Sequence, residues 1–356
     1  MGQAACRRGL LSFQEGPGRQ PQKIAEHAEG KIGMMAIVVD EDERRSLLWK
    51  GVDDPVCGPG EVLVDIHTTS VNRADLLQRA GNYPPPEGAP PYMGLEMAGE
   101  IRETGPGVTV WKAGDRVCAL LAGGGYAEQV AVQQELLLPI PKTWDYVTAG
   151  AVPEVFLTAF VNLFMEGDLQ QGETVLIHGG ASGVGTAAIQ LAREAGARVF
   201  VTAGTEAKAA RCIELGAERA IHYPTEDFVE VLREAGGADL ILDIVGGAYF
   251  ERNIRALRLK GRLVLLALLD GATAQIPIGQ VLGKRLRVIG SLLRSRSLAE
   301  KTEIMERFRG EAWPLLVEEK VAPVIHRVMG IEEAEAAQGI LERNENVGKV
   351  VMKVRS

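Results

Sequence analysis

Apolar and polar residues follow two rhythms along this chain, and one gives way to the other near residue 147. From 34 to about 150, short alternating runs are punctuated by Gly and Pro: "EVLVDIHTTSVN" (61–72), "MAGEIRETGPGVTVWKAGDRVCAL" (97–120), "GGGYAEQVAV" (123–132) and "ELLLPIP" (135–141). That spacing predicts a small β-barrel or distorted sandwich. Beyond it, "VTAGAVPEVFLTAFVNLFME" reads as helix-rich, and strands then alternate with amphipathic helices. The strands are "TVLI", "ARVFVTAG" (197–204), "AERAIHY", "ADLILDIVGG" (238–247), "GRLVLLALLD" (261–270) and "RLRVIGSLL" (285–293), with helices after Gly183, over 206–215 and near 226–235. These strands are apolar nearly throughout, as a sheet covered on both faces requires. The fold class expected is therefore α/β: a doubly wound parallel sheet beside a smaller β domain. A closing strand, "GKVVMKV" (348–354), is expected to return to the first domain.

With 356 residues, two domains are expected. Residues 1–33 show neither period, and we read them as a disordered extension or a misassigned start. The net charge of −8 argues against nucleic-acid binding. No run approaches ~20 uninterrupted apolar residues, so no membrane span is expected. Cys6, Cys57, Cys118 and Cys212 are scattered without metal or disulfide spacing, which fits free thiols in the cytoplasm.

Candidate chemistry centres on "HGGASGVGTAAIQ" (178–190), which follows an apolar strand and opens a helix whose Val184, Ala187, Ala188, Leu191 and Ala195 share one face. A pyrophosphate needs backbone amides at such a helix start, where partial positive charge collects. Gly180, Gly183 and Gly185 clear its approach, Ala181 and Ser182 complete the GxSGxG loop, and the Ser182 hydroxyl can reach a phosphate. An NAD-binding chain usually carries an acid at the end of the next strand, to hold the ribose. Here Thr205 stands there, with Lys208 and Arg211 following. This favours NADPH, whose extra phosphate is drawn to cations, with Tyr223 covering the adenosine. The plain alternative is that Lys208 and Arg211 are solvated helix residues, and Glu206 speaks mildly for it.

The segments "VNRADLLQRAGNYPPP" (71–86), "GLEMAGEI" (94–101), "GGYAEQ" (124–129), "VPEVFLTAF" (152–160), "LIHGGASGVGTAAIQLA" (176–192) and "GSLLRSRS" (290–297) give the chain a resemblance. It resembles the medium-chain dehydrogenase/reductase superfamily, and within it the zinc-free quinone oxidoreductases similar to zeta-crystallin, in the branch of the tumour-suppressor-induced quinone oxidoreductase and its bacterial relatives. The resemblance implies a GroES-like catalytic domain over 34–155 and 302–356 and a Rossmann NADPH-binding domain over 156–301. At the positions of the zinc ligands stand Asn72, Leu95 and Glu154, so no metal is expected. Without a Lewis acid, the acceptor must already be electron-poor, such as a quinone or an activated alkene.

The same resemblance places Asn72, Asp75 and Tyr83 at the reacting centre. Asn72 would hydrogen-bond the acceptor or the nicotinamide amide, and Asp75 would orient it, although helix capping is an alternative for Asp75. Tyr83 would relay a proton, unless it is a structural loop aromatic. Thr158 is expected at the nicotinamide, Val245 and Gly246 at an adenosine-side turn, and Leu268, Leu292, Leu293 and Arg294 beside the nicotinamide. Asn346 and Lys349 are expected at the cofactor phosphates. The expected activity is NADPH:quinone oxidoreduction. The alternatives are enone or enal reduction on the same fold, or a non-catalytic NADPH-binding redox sensor. The apolar "RLRVIGSLL" at an expected sheet edge implies a homodimer.

Overall fold

The computed structural model describes residues 33–355, so the expected N-terminal extension lies almost wholly outside the described residues. A hairpin of β1 (Met35–Val39) and β2 (Leu47–Gly51) precedes the first large sheet. That sheet has seven strands: β3 (Glu61–Ser70), β4 (Glu96–Thr104), β5 (Arg116–Leu120), β6 (Gln129–Gln133), β7 (Leu137–Pro139), β14 (Ile325–Gly330) and β15 (Lys349–Lys353). β3 is its hub, pairing antiparallel with β4, β6 and β15. Val62, Val64 and Ile66 of β3 pack with Met97, Ile101 and Val130 into one apolar core, which is why period-two alternation was visible in this half. Residues 325–353 supply two of the strands, so the chain end does return to the first sheet.

The second sheet runs β10-β9-β8-β11-β12-β13 and every pairing in it is parallel. Its strands are β8 (Thr174–Ile177), β9 (Arg198–Ala203), β10 (Arg219–His222), β11 (Ala238–Asp243), β12 (Leu257–Leu265) and β13 (Arg287–Gly290). The order reverses at β8, and loops at the carboxyl ends there form the ligand crevice of such sheets. β8 is wholly buried, as is β11, whose Leu240–Leu242 centre is apolar while Asp239 and Asp243 at its ends are buried too.

Three local departures have physical causes. The helix Gly183–Glu194 is buried from Gly185 to Ala192 rather than on one face. The helix Pro153–Phe160 covers its other side, with Val155 and Phe156 in the same core as Ala187 and Leu191. Residues 266–270, read as strand, instead fold back so that the amides of Leu269 and Asp270 donate to the carbonyls of Ile244 and Val245. The run 285–293 yields only a four-residue strand, because Arg285 ends the helix Ile278–Lys284 in the left-handed region at φ 52°. Tyr146–Glu166 is long and apolar enough to cross a membrane, but 72% of its apolar window is buried inside the protein, as for a core helix.

Candidate functional site

The glycine loop leaves β8 and delivers the chain to the helix Gly183–Glu194, capped by Ser182, whose Oγ accepts from the Gly185 amide at 3.0 Å. The amides of Gly180 and Ser182 are already used, donating to the carbonyls of Thr202 and Gly179. That of Gly183 faces the Gly348 carbonyl across an isolated parallel bridge at Ser182, and that of Val184 meets no acceptor among the described residues. An open donor at the head of a twelve-residue helix suits a pyrophosphate. The glycines also serve packing: a Cβ at Gly185 would lie 2.4 Å from the Gly179 carbonyl, and one at Gly183 would lie 2.8 Å from Val155 Cγ1. The expectation that they only clear the ligand's path was therefore too narrow.

Beneath this loop His178 is buried, and burial lowers its pKa, so the ring is neutral. Its Nδ1 lies 3.1 Å from Thr202 Oγ1 and its Nε2 2.8 Å from Asn253 Oδ1. Asn253 Nδ2 donates to Asp243 Oδ2 at 2.9 Å, and Asp243 Oδ1 accepts from the amides of Val245 and Gly246 at 2.7 and 3.1 Å. One hydrogen-bonded chain thus ties the glycine loop to the 245–246 turn. A Cβ at Gly246 would meet the Gly271 carbonyl and Leu268 Cδ2, both at 2.9 Å, which brings Leu268 against that turn.

At the end of β9, Thr205 caps the helix Glu206–Glu214 and Tyr223 lies over Gly204, its ring half-exposed. Lys208 donates to the Asn344 carbonyl, while Arg73 reaches Asn344 Oδ1 at 2.7 Å. Burial first, and then the Arg73 charge, lower the Lys208 pKa. Two cations therefore converge on Asn344, one of them from the helix that Thr205 caps. Asn346 donates to the Gly348 carbonyl at 2.8 Å, and the Gly348 amide donates to Ala181, joining the returning tail to the glycine loop.

Where the two lobes meet, Lys349 enters from β15. Its ammonium donates to Asn72 Oδ1 and Glu96 Oε1, both at 2.6 Å, and to the Val71 carbonyl at 3.2 Å. Asn72 Nδ2 donates to Glu96 Oε1 at 2.9 Å, and Glu96 Oε2 accepts from the Glu154 amide at 2.9 Å. Three expectations change here. The three ammonium protons of Lys349 are spent in a buried pair, so it does not reach for phosphate as expected. Asn72 is held between Lys349 and Glu96 rather than offered to an acceptor. Asp75 is the N3 residue of the short helix Arg73–Arg79: its Oδ2 accepts from the Asn72 amide at 2.8 Å and from Tyr126 at 3.1 Å, and its Oδ1 from Gly94 at 3.0 Å. It is fully buried, and burial raises its pKa to about 6. The capping alternative describes it, not a reacting role.

Arg294 is likewise occupied. It donates to the carbonyls of Ala122 and Tyr83 at 2.8 and 3.2 Å and to Gln78 Oε1 at 2.7 Å, with its guanidinium 5.0 Å from the Tyr83 ring centre. It latches the segment after β13 onto the small lobe instead of facing a cofactor. Leu292 is half exposed and Leu293 packs against the core. What stays open in the cleft is a short set: the Tyr83 hydroxyl, the Thr158 hydroxyl and the Glu154 carboxyl take no hydrogen bond among the described residues.

A zinc ion does not fit this donor set. Leu95 is buried and has no donor atom, while the oxygens of Asn72 and Glu96 are claimed by the Lys349 ammonium. Among the described residues no group of three or more His, Cys, Asp or Glu could hold a metal. Sequence reasoning missed Glu96 and Asn162. A lone acid inside the apolar "GLEMAG" was the available signal for the first. Asn162 follows Thr158 by one turn, and its buried Oδ1 has no partner.

Residues 58–142 match the alcohol dehydrogenase GroES-like domain and residues 183–309 the zinc-binding dehydrogenase family. Quinone oxidoreductase-like protein 2 of Bos taurus is 29% identical over 316 residues, covering 88% of this chain and 90% of that one. An alcohol dehydrogenase superfamily protein of Novosphingobium aromaticivorans is 31% identical, with a TM-score of 0.80 over 90% of this chain and all of that one (100%). The Escherichia coli quinone oxidoreductase, solved with NADPH, is 26% identical with a TM-score of 0.80, again over 90% of this chain and 100% of that one.

Proposed function

This chain belongs to the medium-chain dehydrogenase/reductase superfamily of nicotinamide-dependent oxidoreductases, and from that premise we propose that it passes reducing equivalents from NADPH to a small electron-poor acceptor, a quinone first of all. The observation that carries the reading is the open Val184 amide at the head of the helix that leaves the switch point of the parallel sheet, with Lys208, from the helix after the neighbouring strand, and Arg73, from the small lobe, meeting at Asn344. A pyrophosphate fits the first feature, and the two cations suit a ribose phosphate rather than a bare hydroxyl. When bound, the reduced nicotinamide supplies the hydride. The residues of the chain do the rest. Ser182 fixes the helix start, the His178 chain holds the two cofactor loops in register, and Arg294 keeps Tyr83 over the cleft.

The acceptor class follows from the charges. The cation at the heart of the site, Lys349, is neutralised by Glu96 at 2.6 Å and points at protein oxygens. It cannot polarise a bound carbonyl as an open metal would, which favours acceptors that need little activation. The relative from Escherichia coli, a quinone oxidoreductase complexed with NADPH, supports the same choice. The experiment is steady-state oxidation of NADPH and NADH against a panel of quinones, enals and simple alcohol–aldehyde pairs. We expect turnover with quinones, weaker turnover with enals, and a preference for NADPH. Tight cofactor binding without turnover of any acceptor would support the sensor reading instead.

A further inference from the structure

The helix Pro153–Phe160 is buried at six of its eight positions, and the two that remain open are Glu154 and Thr158, one turn apart on the face toward the cleft. That carboxyl is half-open and neither oxygen is hydrogen-bonded among the described residues, so both are free to meet a bound molecule. We propose that Glu154 is the proton donor of the reaction, its carboxyl protonating the oxygen of the acceptor as that acceptor is reduced. This rests on the oxidoreductase reading above and assigns the residue that completes it.

Charge accounting around the site supports a neutral acid. Two carboxyls, Glu96 and Glu154, border one ammonium, and Glu96 has taken it: its Oε1 meets Lys349 and Asn72, and its Oε2 meets the Glu154 amide. Ionising Glu154 as well would set a second, unpaired negative charge beside the first. The groups facing it are Glu96 from β4, Lys349 from β15, Asp75 from the helix Arg73–Arg79 and Arg294 from the segment after β13. Tyr83 from its loop and Lys301 from the helix Leu298–Glu311 also feel its charge. Burial first, and then Glu96, push the Glu154 carboxyl up to about 8, against the pull of Lys349 and Arg294. Tyr83 is the other acid of the open set, but burial raises it above an ordinary phenol, so it is the weaker acid of the two. An acid whose pKa lies near the working pH is the effective donor.

In this step the Glu154 O–H bond breaks and an O–H bond forms on the acceptor oxygen. The hydride from NADPH supplies the electron pair, so the acceptor gains two electrons and one hydrogen from it. The carboxylate left behind recovers its proton from water.

Two measurements test this. The first reads the carboxyl itself, by infrared difference or carbon-13 spectra of cofactor-free protein across pH, with Glu154→Gln as the assigning control. One carboxyl should titrate near 8 in the wild type and vanish in the variant. A Glu154 already ionised below neutral pH overturns the proposal. The second compares acceptors. Glu154→Gln should lower kcat by about 10²-fold for an enone, whose enolate needs the proton, and by less for a quinone, while leaving NADPH affinity unchanged. The wild-type fall in rate above its pKa and its solvent isotope effect should both be lost. Glu154→Asp should restore part of the rate. An active wild type with an identical pH profile in the Gln variant sinks the donor alone. No turnover by the wild type with any acceptor sinks the oxidoreductase reading and the donor with it.

Discussion

At the scale of single residues, this site is decided by which polar groups have been used up. Asn72, Asp75, Arg294 and Lys349 were all found in the sequence as site residues, and the structure brings each to the cleft wall with its hydrogen bonds already taken. Which residues meet where the lobes join was legible in the sequence. Their remaining capacity was not, because saturation depends on partners between 2 and 278 residues away. Two outcomes follow. Lys349→Met should cost about 3–5 kcal/mol in chemical denaturation, since it strands the Glu96 carboxylate, and adding Glu96→Gln should recover part of that loss. Equal loss in the single and double variants would show that the pair matters only through packing. Lys208→Ala should reduce the ratio of kcat/KM for NADPH over NADH by about tenfold, the size of one charge-assisted hydrogen bond. An unchanged ratio would remove Lys208 from the cofactor's phosphate.

At the scale of elements, periodicity located the strands and helices of the parallel sheet well, because a strand covered on both faces and an amphipathic helix each leave a simple mark. It failed where tertiary contact overrides pattern. The helix Arg73–Arg79 has only seven residues and is held by its Asp75 cap, too short for a period to show. The π-helical turn Val161–Glu166 continues a buried helix with no change in composition. β13 is a sheet edge, and beside it Val288, Ile278 and Leu282 are 43%, 73% and 77% exposed. An edge strand flanked by that much apolar surface suits pairing with a second copy. Sedimentation should therefore give a dimer, and Leu282→Glu combined with Val288→Lys should shift it to monomer. A monomer from the unaltered chain at micromolar concentration would remove the proposal.

At the scale of the whole molecule, two lobes close on one cleft, and each carries part of the work. The parallel sheet offers the open amide of Val184. The small lobe offers Tyr83, while the helix Pro153–Phe160 adds Glu154 and Thr158. The tail strand β15 stitches the lobes through Lys349, and Arg294 closes them from the other side. A cleft so built, with the Lys349 charge neutralised by Glu96, should move a hydride to molecules that readily take one. The direct test is a single turnover: protein loaded with one equivalent of NADPH is mixed with an electron-poor quinone, and the absorbance of the reduced nicotinamide is followed in time. We predict its complete loss in one phase whose rate saturates with quinone. Absorbance that persists in the protein-bound cofactor, whatever the acceptor, would contradict the account.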